Sequence, residues 1–399
     1  MIRNIFLNYF QRLWYEVHWF LILVGFRFYF RRWQVHNYPK MKRKDPVIYV
    51  ANHQNAFMDA IAIVLSQKRH PIFLARASVF ANPIAKILLR SINMLPIYRQ
   101  RDGVDTIKMN ESIIQSCVDI LIEGRQPLGI HAEGNHGMKR SLRPLKKGLG
   151  RIAFQAMEQT NNNLNLKVVP VGIGYSKHTR FRGDLLINFG EPIKVKDYVD
   201  VYRENPNKAL VDLNIEIEKR IKGLIVNIDD IENYEEIEKA WIRERKLFPD
   251  MLEELASDKE IIARLTEEKQ QGKTLNTEPV EKNKPSVISM IIGFPAYVYG
   301  TLNHLPAKFL ISRVIKNIVS DLHFYSSIKL VSGMYIGMIM YFLQALAVYA
   351  LTGGNMWIAS LYFFSLPFFG IYAYDHHLKY YSDEPYTTSS AELLKKMNK

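Results

Sequence analysis

The chain has 399 residues, 48% of them hydrophobic, so it can bury one large core or two smaller ones. Its 53 Lys and Arg residues outnumber 39 Asp and Glu residues, which gives a formal net charge of +14. This surplus favours an anionic partner such as nucleic acid, an acidic membrane or a phosphorylated substrate. The single cysteine, Cys117, excludes a disulfide framework and a cysteine-based metal site, and it fits a reducing compartment.

Residues 1–45 are predicted to form membrane-associated N-terminal helices. The apolar run 19–26 is too short to cross a bilayer, and Arg27 follows it at once. Aromatic and basic residues mixed at helical spacing are typical of a helix that lies in a membrane interface. An amphipathic helix packed on the domain would give the same pattern. The basic cluster at 40–44 would face anionic lipid or form a solvated loop.

Short β-rich runs alternate with helical patterns from residue 46 to residue 226, which predicts one α/β domain. The candidate strands are Val47–Ala51, Ile72–Ala75, Leu128–Ala132, Val168–Gly172 and Leu185–Phe189, and two of the candidate helices are Asp105–Glu123 and Gly148–Gln159. Because these strands are almost continuously apolar, both faces of the sheet are expected to be covered. The predicted fold class is α/β, with a mostly parallel mixed sheet flanked by helices.

The composition changes after this domain. Residues 227–285 are rich in Glu, Lys and Ile at helical spacing and end in a polar stretch. This pattern predicts a charged helical connector followed by a linker. The helices of the connector are interpreted as solvated, with partner binding as the alternative.

Residues 286–399 are predicted to form a membrane region. The uncharged runs 330–352 and 356–374 are long enough to form a transmembrane hairpin, and two buried core helices are the alternative. The stretch 287–305 is also apolar, but it contains Pro295 and is interpreted as re-entrant or interfacial.

The charges that flank the hairpin predict its orientation. Lys329 precedes it and Lys379 follows it, so the positive-inside tendency places both ends, and the catalytic domain, on the cytoplasmic side. The sequence therefore predicts an integral membrane protein. Transmembrane segments argue against nucleic acid as the anionic partner and favour anionic membrane lipid or a phosphorylated substrate.

The first chemical motif follows the first candidate strand. Asn52 and His53 come directly after it, and Asp59 lies a few residues further on; Asn52 is a candidate substrate-binding residue. Histidine titrates near neutral pH, and a carboxylate on its other ring nitrogen fixes the tautomer and stabilises the cation. The pair can therefore supply a general base, although His and Asp also occur at strand ends without such a role.

Basic residues and an acid–glycine pair follow further along the chain. Arg99 and Arg101 come after a short apolar segment, and guanidinium groups suit phosphate recognition. Glu133 and Gly134 form a turn after a candidate strand, where the glycine would let backbone amides approach a ligand. The further candidate binding residues in this loop are His136, Arg143 and Lys147.

These segments and the Val-Pro-Val run at 169–171, in this order, resemble the four sequence blocks of the glycerol-phosphate acyltransferase family, which includes the lysophosphatidic acid acyltransferases. The resemblance covers roughly residues 46–195, and the pattern is closest to the fungal-type glycerol-3-phosphate/dihydroxyacetone-phosphate acyltransferase branch. It implies that residues 46–226 form an acyltransferase domain. The residues that it assigns to the site are His53 and Asp59 for catalysis, Arg99, Glu133 and Gly134 for the acceptor, and Pro170 in the fourth block.

The spacing of the catalytic block departs from the family pattern. Five residues separate His53 from Asp59, where the family usually has four. Neither spacing places the two side chains on one face of a continuous helix, so a turn is expected between them.

The third block departs as well. His131-Ala132 replaces Phe-Pro, and Asn135-His136 replaces Thr-Arg, so the arginine of the block is missing. His136, Arg140 or Arg143 is expected to supply the phosphate contact in its place.

The resemblance implies a membrane-bound O-acyltransferase of phospholipid synthesis. It would move an acyl group from acyl-CoA or acyl-ACP to a hydroxyl of glycerol 3-phosphate or 1-acylglycerol 3-phosphate, with His53 as general base and Asp59 holding its imidazole. Dihydroxyacetone phosphate or another lysolipid is an alternative acceptor, and a non-catalytic membrane lipid-binding protein is the alternative class. Neither a metal nor a cofactor is expected, because the histidines lack ligand spacing and the chemistry does not need one.

Overall fold

The structure is a computed structural model of the chain. It describes residues 2–397, with the exception of 43, 68, 82, 84–85, 87–88, 91, 99–105, 125, 279–285, 320 and 384.

A mixed sheet of eight strands lies at the centre of the described residues. Its strands are β1 (Arg32–His36), β2 (Val47–Ala51), β3 (Ile72–Arg76), β4 (Met94–Ile97), β5 (Leu128–Ile130), β6 (Lys167–Tyr175), β7 (Asp184–Phe189) and β8 (Ile193–Lys194). The order is β1-β7-β6-β2-β5-β3-β4, and β8 also pairs with β6. Every pairing is parallel except those of β6 with β7 and β8, which confirms the predicted mostly parallel mixed sheet.

Helices cover both faces of this sheet. They are α1 (Ile2–Tyr29), α2 (Phe57–Leu65), α3 (Thr106–Glu123), α4 (Gly148–Gln159), α5 (Val199–Glu204) and α6 (Pro206–Leu224). Alternate residues of β2 enter two separate hydrophobic clusters: Ile48 and Val50 pack with α3, α4 and α6, whereas Val47, Tyr49 and Ala51 pack with α1 and α2. This double burial explains why the strand is apolar at every position.

Some strands differ from their predicted limits because pairing with a neighbouring strand, rather than the run of apolar residues, determines where a strand ends. β5 ends at Ile130, two residues before the predicted Ala132, and the turn that carries Glu133 follows. β6 continues to Tyr175 because β7 pairs with it from Val171 onwards. β1 and β4 were not predicted, since both are short and neither is fully buried.

A single helix, rather than several, forms the N-terminal element. Phe26 and Tyr29 near the end of α1 are buried against the sheet, as a helix packed on the domain requires. The opposite side exposes an apolar stripe, as an interfacial helix requires. The residues of this stripe are Leu13, Val17, Phe20 and Val24.

The connector is not simply solvated, which corrects the prediction for residues 227–285. Its helices α7 (Tyr234–Glu244) and α8 (Met251–Gln270) enclose a small core that contains Ile237, Trp241 and Leu265. Glutamate and lysine at helical spacing dominated the sequence pattern, but they describe only the outer face of these helices.

Three long helices and a short one complete the chain: α9 (Val287–Ile318), α10 (Tyr325–Leu351), α11 (Met356–Tyr380) and α12 (Ser390–Met397). Two segments of the described chain, Leu322–Leu351 and Met356–Tyr380, are long and apolar enough to cross a membrane, with only 11% and 17% of their apolar windows buried. Such low burial contradicts the alternative of two buried core helices.

The stretch 287–305 is part of the continuous helix α9 and not a separate re-entrant element. Pro295 and Pro306 both lie inside the helix. It packs along α11, where Gly300 leaves room for the backbone of Phe369. The resulting three-helix unit carries most of the exposed large apolar side chains of the described residues.

Candidate active site

The turn after β2 brings His53 and Asp59 together. Asn55–Met58 forms a tight turn closed by a 2.9 Å hydrogen bond from the Met58 amide to the Asn55 carbonyl. Ala56 has φ 41° and ψ −123°, the conformation of the first central residue of a type II′ turn. This turn absorbs the extra residue of the block, and His53 Nδ1 lies 2.8 Å from Asp59 Oδ2.

Asp59 is fully buried, and both of its carboxylate oxygens are occupied by protein donors. Oδ2 accepts hydrogen bonds of 2.8 Å from the amides of Gln54 and Asn55, as well as from His53 Nδ1. Oδ1 accepts a 2.8 Å bond from the Tyr175 hydroxyl. Burial raises the pKa of Asp59, and the hydrogen bonds from Asn55, Tyr175 and Gln54 oppose that rise. The carboxylate is therefore fixed in position and orients the imidazole.

Burial also defines the state of two neighbouring groups. Burial, followed by the field of Asp59, raises the pKa of Tyr175 far above its ordinary value, so this hydroxyl remains a donor. Burial and the nearby His53 lower the pKa of His131 to about 3, so this imidazole is neutral. The His131 ring lies parallel to that of His53, with centroids 4.0 Å apart. Asp59, held by Tyr175, therefore contacts the edge of the His53 imidazole, and the His131 ring covers one of its faces.

The Glu-Gly turn holds the catalytic loop from its other side. Glu133 Oε1 accepts a 2.6 Å bond from the His53 amide, and its Oε2 accepts a 2.9 Å bond from Arg143 Nε. Burial raises the pKa of Glu133, and Arg143 opposes the rise. Glu133 therefore holds the Arg143 side chain in position beside the turn. Gly134 has φ +72°, a conformation that favours glycine.

The backbone amides of this turn are largely used within the protein. The Gly134 amide donates to the His131 carbonyl, the Gly137 amide to the His53 carbonyl and the Lys146 amide to the Ala132 carbonyl. The predicted cradle of amides around an anion is therefore not available at these three positions. At these three positions a phosphate would have to be recognised by side chains rather than by backbone amides.

The remaining candidate phosphate-binding residues differ in their exposure and in their distance from His53. The Arg143 guanidinium, beside Glu133, is 38% exposed, and the His136 ring lies 5.6 Å from that of His53. Lys147 is exposed and immediately precedes α4, at the edge of the same loop. Arg99 and Arg101 lie outside the described residues.

Two candidates have structural partners instead. Both amide atoms of the Asn52 side chain bond to the backbone of Ile173, so Asn52 fixes β2 to β6 rather than facing a substrate. Arg140 is buried, and its guanidinium donates to Glu238 Oε1 at 2.6 Å and to the Tyr175 carbonyl at 3.1 Å. The expectation that Arg140 can replace the missing arginine is therefore wrong.

Sequence reasoning missed three residues at the site. Tyr175 lies at the end of β6, while Asp321 and His323 lie just before α10, next to His136. A tyrosine after the Val-Pro-Val run is the only signal that was present, since the other two residues are remote in sequence and flanked by no motif.

The comparisons with known proteins find similarity to acyltransferases over the part of the chain that contains most of the sheet. The sequence model of a family described as Acyltransferase matches residues 32–174. Glycerol-3-phosphate O-acyltransferase 1 of Saccharomyces cerevisiae is 30% identical over 134 residues, which cover 32% of this chain and 18% of the yeast protein. Glycerol-3-phosphate O-acyltransferase 2 of the same yeast is 28% identical over 132 residues, covering 33% and 18%.

Among solved structures, the 1-acyl-sn-glycerophosphate (LPA) acyltransferase of Thermotoga maritima aligns with a TM-score of 0.34 and 20% identity. The alignment covers 48% of this chain and 78% of the Thermotoga chain. The matched region corresponds to less than a fifth of each yeast protein.

The region that matches the Acyltransferase model contains the His53–Asp59 pair and most of the sheet. The match of residues 32–174 to the Acyltransferase model and the similarity to the yeast protein confirm the resemblance inferred from the sequence.

Proposed function

We propose that the chain is an integral membrane O-acyltransferase of phospholipid synthesis. It transfers an acyl group from acyl-CoA or acyl-ACP to a hydroxyl of glycerol 3-phosphate or 1-acylglycerol 3-phosphate. The observation that supports this most strongly is the 2.8 Å contact between His53 Nδ1 and a fully buried Asp59 whose other hydrogen bonds all come from the protein. The two yeast relatives carry glycerol-3-phosphate O-acyltransferase in their names.

In this mechanism the two nitrogens of the His53 imidazole have different roles: Nδ1 bonds to Asp59, and Nε2 exchanges protons with the substrates. Asp59 accepts a hydrogen bond from the Nδ1–H group of His53, which leaves Nε2 without a proton and able to take the proton of the acceptor hydroxyl. The oxygen then attacks the thioester carbonyl, the carbon–sulfur bond breaks, and the thiolate leaving group recovers the proton from Nε2. Asp59 stabilises the imidazolium that exists between these events.

The acceptor's phosphate is assigned to the basic side of the loop after β5. Arg143 lies beside His53 through their shared partner Glu133, so a phosphate bound there would place a glycerol hydroxyl near the imidazole. Glu133 and Gly134 shape this loop. Arg99, Arg101 and Lys147 remain predicted contributors to the same phosphate site.

The membrane location follows from the two candidate spans and the exposed apolar surface of α9, α10 and α11. We assign the acyltransferase domain to the cytoplasmic side, where acyl thioesters are made, and anionic lipid to the basic surface.

Acyl transfer by the purified protein in detergent or nanodiscs tests this function. Labelled acyl-CoA and acyl-ACP are offered with glycerol 3-phosphate, 1-acylglycerol 3-phosphate and dihydroxyacetone phosphate. His53→Ala should abolish transfer, whereas His36→Ala removes an imidazole that is paired with Asp250 and should leave it unchanged. Transfer to dihydroxyacetone phosphate alone would identify that compound as the acceptor in place of the two glycerol phosphates.

Wild-type turnover by a folded His53→Ala protein would rule out the general-base mechanism. Absence of transfer to every acceptor, with retained binding to anionic vesicles, would favour a non-catalytic lipid-binding protein.

A further inference from the structure

A second cluster of titratable side chains lies beside His53 and comes from two distant parts of the chain. His136 belongs to the loop after β5, whereas Asp321 and His323 belong to the turn before α10. His323 Nδ1 is 2.6 Å from Asp321 Oδ1, and His136 Nε2 is 3.8 Å from Asp321 Oδ2. The centroids of the two imidazole rings are 4.2 Å apart. The start of the membrane hairpin thus contributes side chains to the active-site region.

The geometry is typical of a metal site. One ligand atom from each of the three residues lies within 4.8 Å of the other two. Two imidazoles and one carboxylate form a ligand set that divalent transition metals accept. Ligand atoms around a tetrahedral ion, at bonds of about 2.1 Å, are roughly 3.4 Å apart. The two imidazole nitrogens lie 2.6 and 3.8 Å from the two different oxygens of Asp321, so a rotation of this carboxylate and small movements of the imidazoles would bring the three ligands to one ion.

His53, Asp59 and His131 also come within this distance of one another, but their contacts do not suit a metal. The oxygens of Asp59 already accept four hydrogen bonds from the protein. His131 Nδ1 faces the Asn52 carbonyl at 3.2 Å. By contrast, the Asp321 carboxylate is 39% exposed and can exchange its partners.

We propose that His136, Asp321 and His323 bind one divalent transition-metal ion, such as Zn²⁺ or Mn²⁺, beside His53. Its open coordination positions take an oxygen of the acceptor's phosphate, a role that rests on the proposed function. His136 occupies the place of the family's third-block arginine, and a divalent ion reverses the negative charge that Asp321 gives the cluster. The ion thereby supplies the positive charge that the substitution of that arginine removes.

Metal binding to the full-length protein tests this site directly. The purified protein in detergent is treated with a chelator and titrated with Co²⁺, whose visible absorption reports its ligands, and Zn²⁺ is counted by plasma mass spectrometry. We expect about one equivalent per chain, with binding at least about tenfold weaker in Asp321→Asn and His323→Gln. His36→Gln is the matched control, because His36 lies 3.5 Å from Asp250 in a pair that no third ligand joins in the described part of the chain.

No bound ion in the wild type, or equal binding by all variants, would overturn the site and leave Asp321 as a local cap of His323. Inorganic phosphate is then added to the Co²⁺ form. A changed absorption spectrum is expected, and an unchanged one overturns the phosphate role. Because this titration uses no acyl donor, and His53→Ala should bind the ion normally, its failure is distinguishable from failure of the proposed acyl transfer.

Discussion

Tyr175 connects the end of β6 to the carboxylate that holds His53. Its hydroxyl donates to Asp59 Oδ1, on the opposite side of the carboxylate from the imidazole. Without this bond Oδ1 would be buried without a donor, and the carboxylate would be free to rotate away from His53. Tyr175 therefore positions the proposed catalytic pair, His53 and Asp59, through Asp59 alone.

Tyr175→Phe should lower kcat about tenfold, as expected from the loss of one hydrogen bond to a buried charge, and should leave the acceptor KM almost unchanged. Tyr49→Phe is the control, since it removes another buried hydroxyl from the same face of the sheet without touching the bonds of Asp59. Steady-state kinetics distinguish the two variants. Equal losses would indicate a general effect on the core and not a role in positioning.

Ala56 adopts a backbone conformation that suits glycine better than any residue with a Cβ atom. Its positive φ lies in the turn that carries the extra residue between His53 and Asp59. Ala56→Gly should raise the free energy of unfolding by about 1 kcal/mol, because the steric strain of the left-handed region is removed. The matched change Ala60→Gly, inside α2, should lower it by about the same amount. Denaturant unfolding measures both, and a fall with Ala56→Gly would contradict the strained turn.

The elements that could be predicted from sequence are those with a strong local signal, such as a continuous apolar run or a clear helix start. β2 and α4 have their predicted limits, because β2 is apolar on both faces and α4 begins at a glycine after a basic loop. β1 was missed although Arg32, Gln34 and His36 alternate with its apolar residues, as in an edge strand, because the run is only five residues long and begins just after α1.

The same distinction holds for the site. The block that contains His53 and Asp59 is local, so its residues and their contact could be predicted. Arg140 was misjudged because its partner, Glu238, lies in the connector, and composition does not separate a buried arginine from an exposed one. Asp321 joins His136 only through tertiary structure, which no spacing rule covers.

The packing of α7 against α8 contains buried charge whose protonation affects stability. Asp258 accepts hydrogen bonds from Trp241 Nε1 at 2.8 Å and from Arg245 at 2.7 Å. Burial raises the pKa of Asp258 to about 6, against the opposing effect of Arg245. In the unfolded chain the pKa of an aspartate is about 3.9.

Between about pH 4 and pH 6 the folded protein therefore holds more protons at Asp258 than the unfolded chain does. The free energy of unfolding should fall as the pH rises through this window, by about 3 kcal/mol. The Asp258→Asn variant should lack this pH dependence, even if the substitution changes the free energy of unfolding by the same amount at every pH. Denaturant unfolding at several pH values measures the slope, and parallel curves for both proteins would contradict the raised pKa.

At the scale of the whole molecule, the membrane helices and the acyltransferase domain are joined at several places. Ser326, at the start of α10, donates to the His178 carbonyl at 2.5 Å. Arg182 forms a two-bond ion pair with Asp375 near the end of α11. The two candidate membrane-spanning helices are thus fixed to the loop after β6 by polar contacts at both ends of the hairpin.

After α11 the chain returns to the connector. Ser390, at the start of α12, donates from its hydroxyl to Glu238 Oε1 at 2.6 Å and also lies 2.7 Å from the Tyr234 hydroxyl. Glu238 in turn holds Arg140, which bonds to the Tyr175 carbonyl. The C-terminal segment is therefore linked to the catalytic pair through a continuous series of hydrogen bonds.

Ser390→Ala should lower the free energy of unfolding by about 1–3 kcal/mol, because the buried Glu238 carboxylate loses a short donor and the Tyr234 hydroxyl loses a partner. Thr388→Val is the matched control, since the buried Thr388 hydroxyl has no hydrogen-bond partner among the residues that the structure describes. Its loss should change the free energy of unfolding little. Unfolding of both variants in detergent gives the comparison, and equal losses would mean that the C-terminal segment contributes by packing alone. A larger loss for Ser390→Ala would show that its hydrogen bonds to Glu238 and Tyr234 stabilise the fold. These bonds belong to the network that reaches Tyr175.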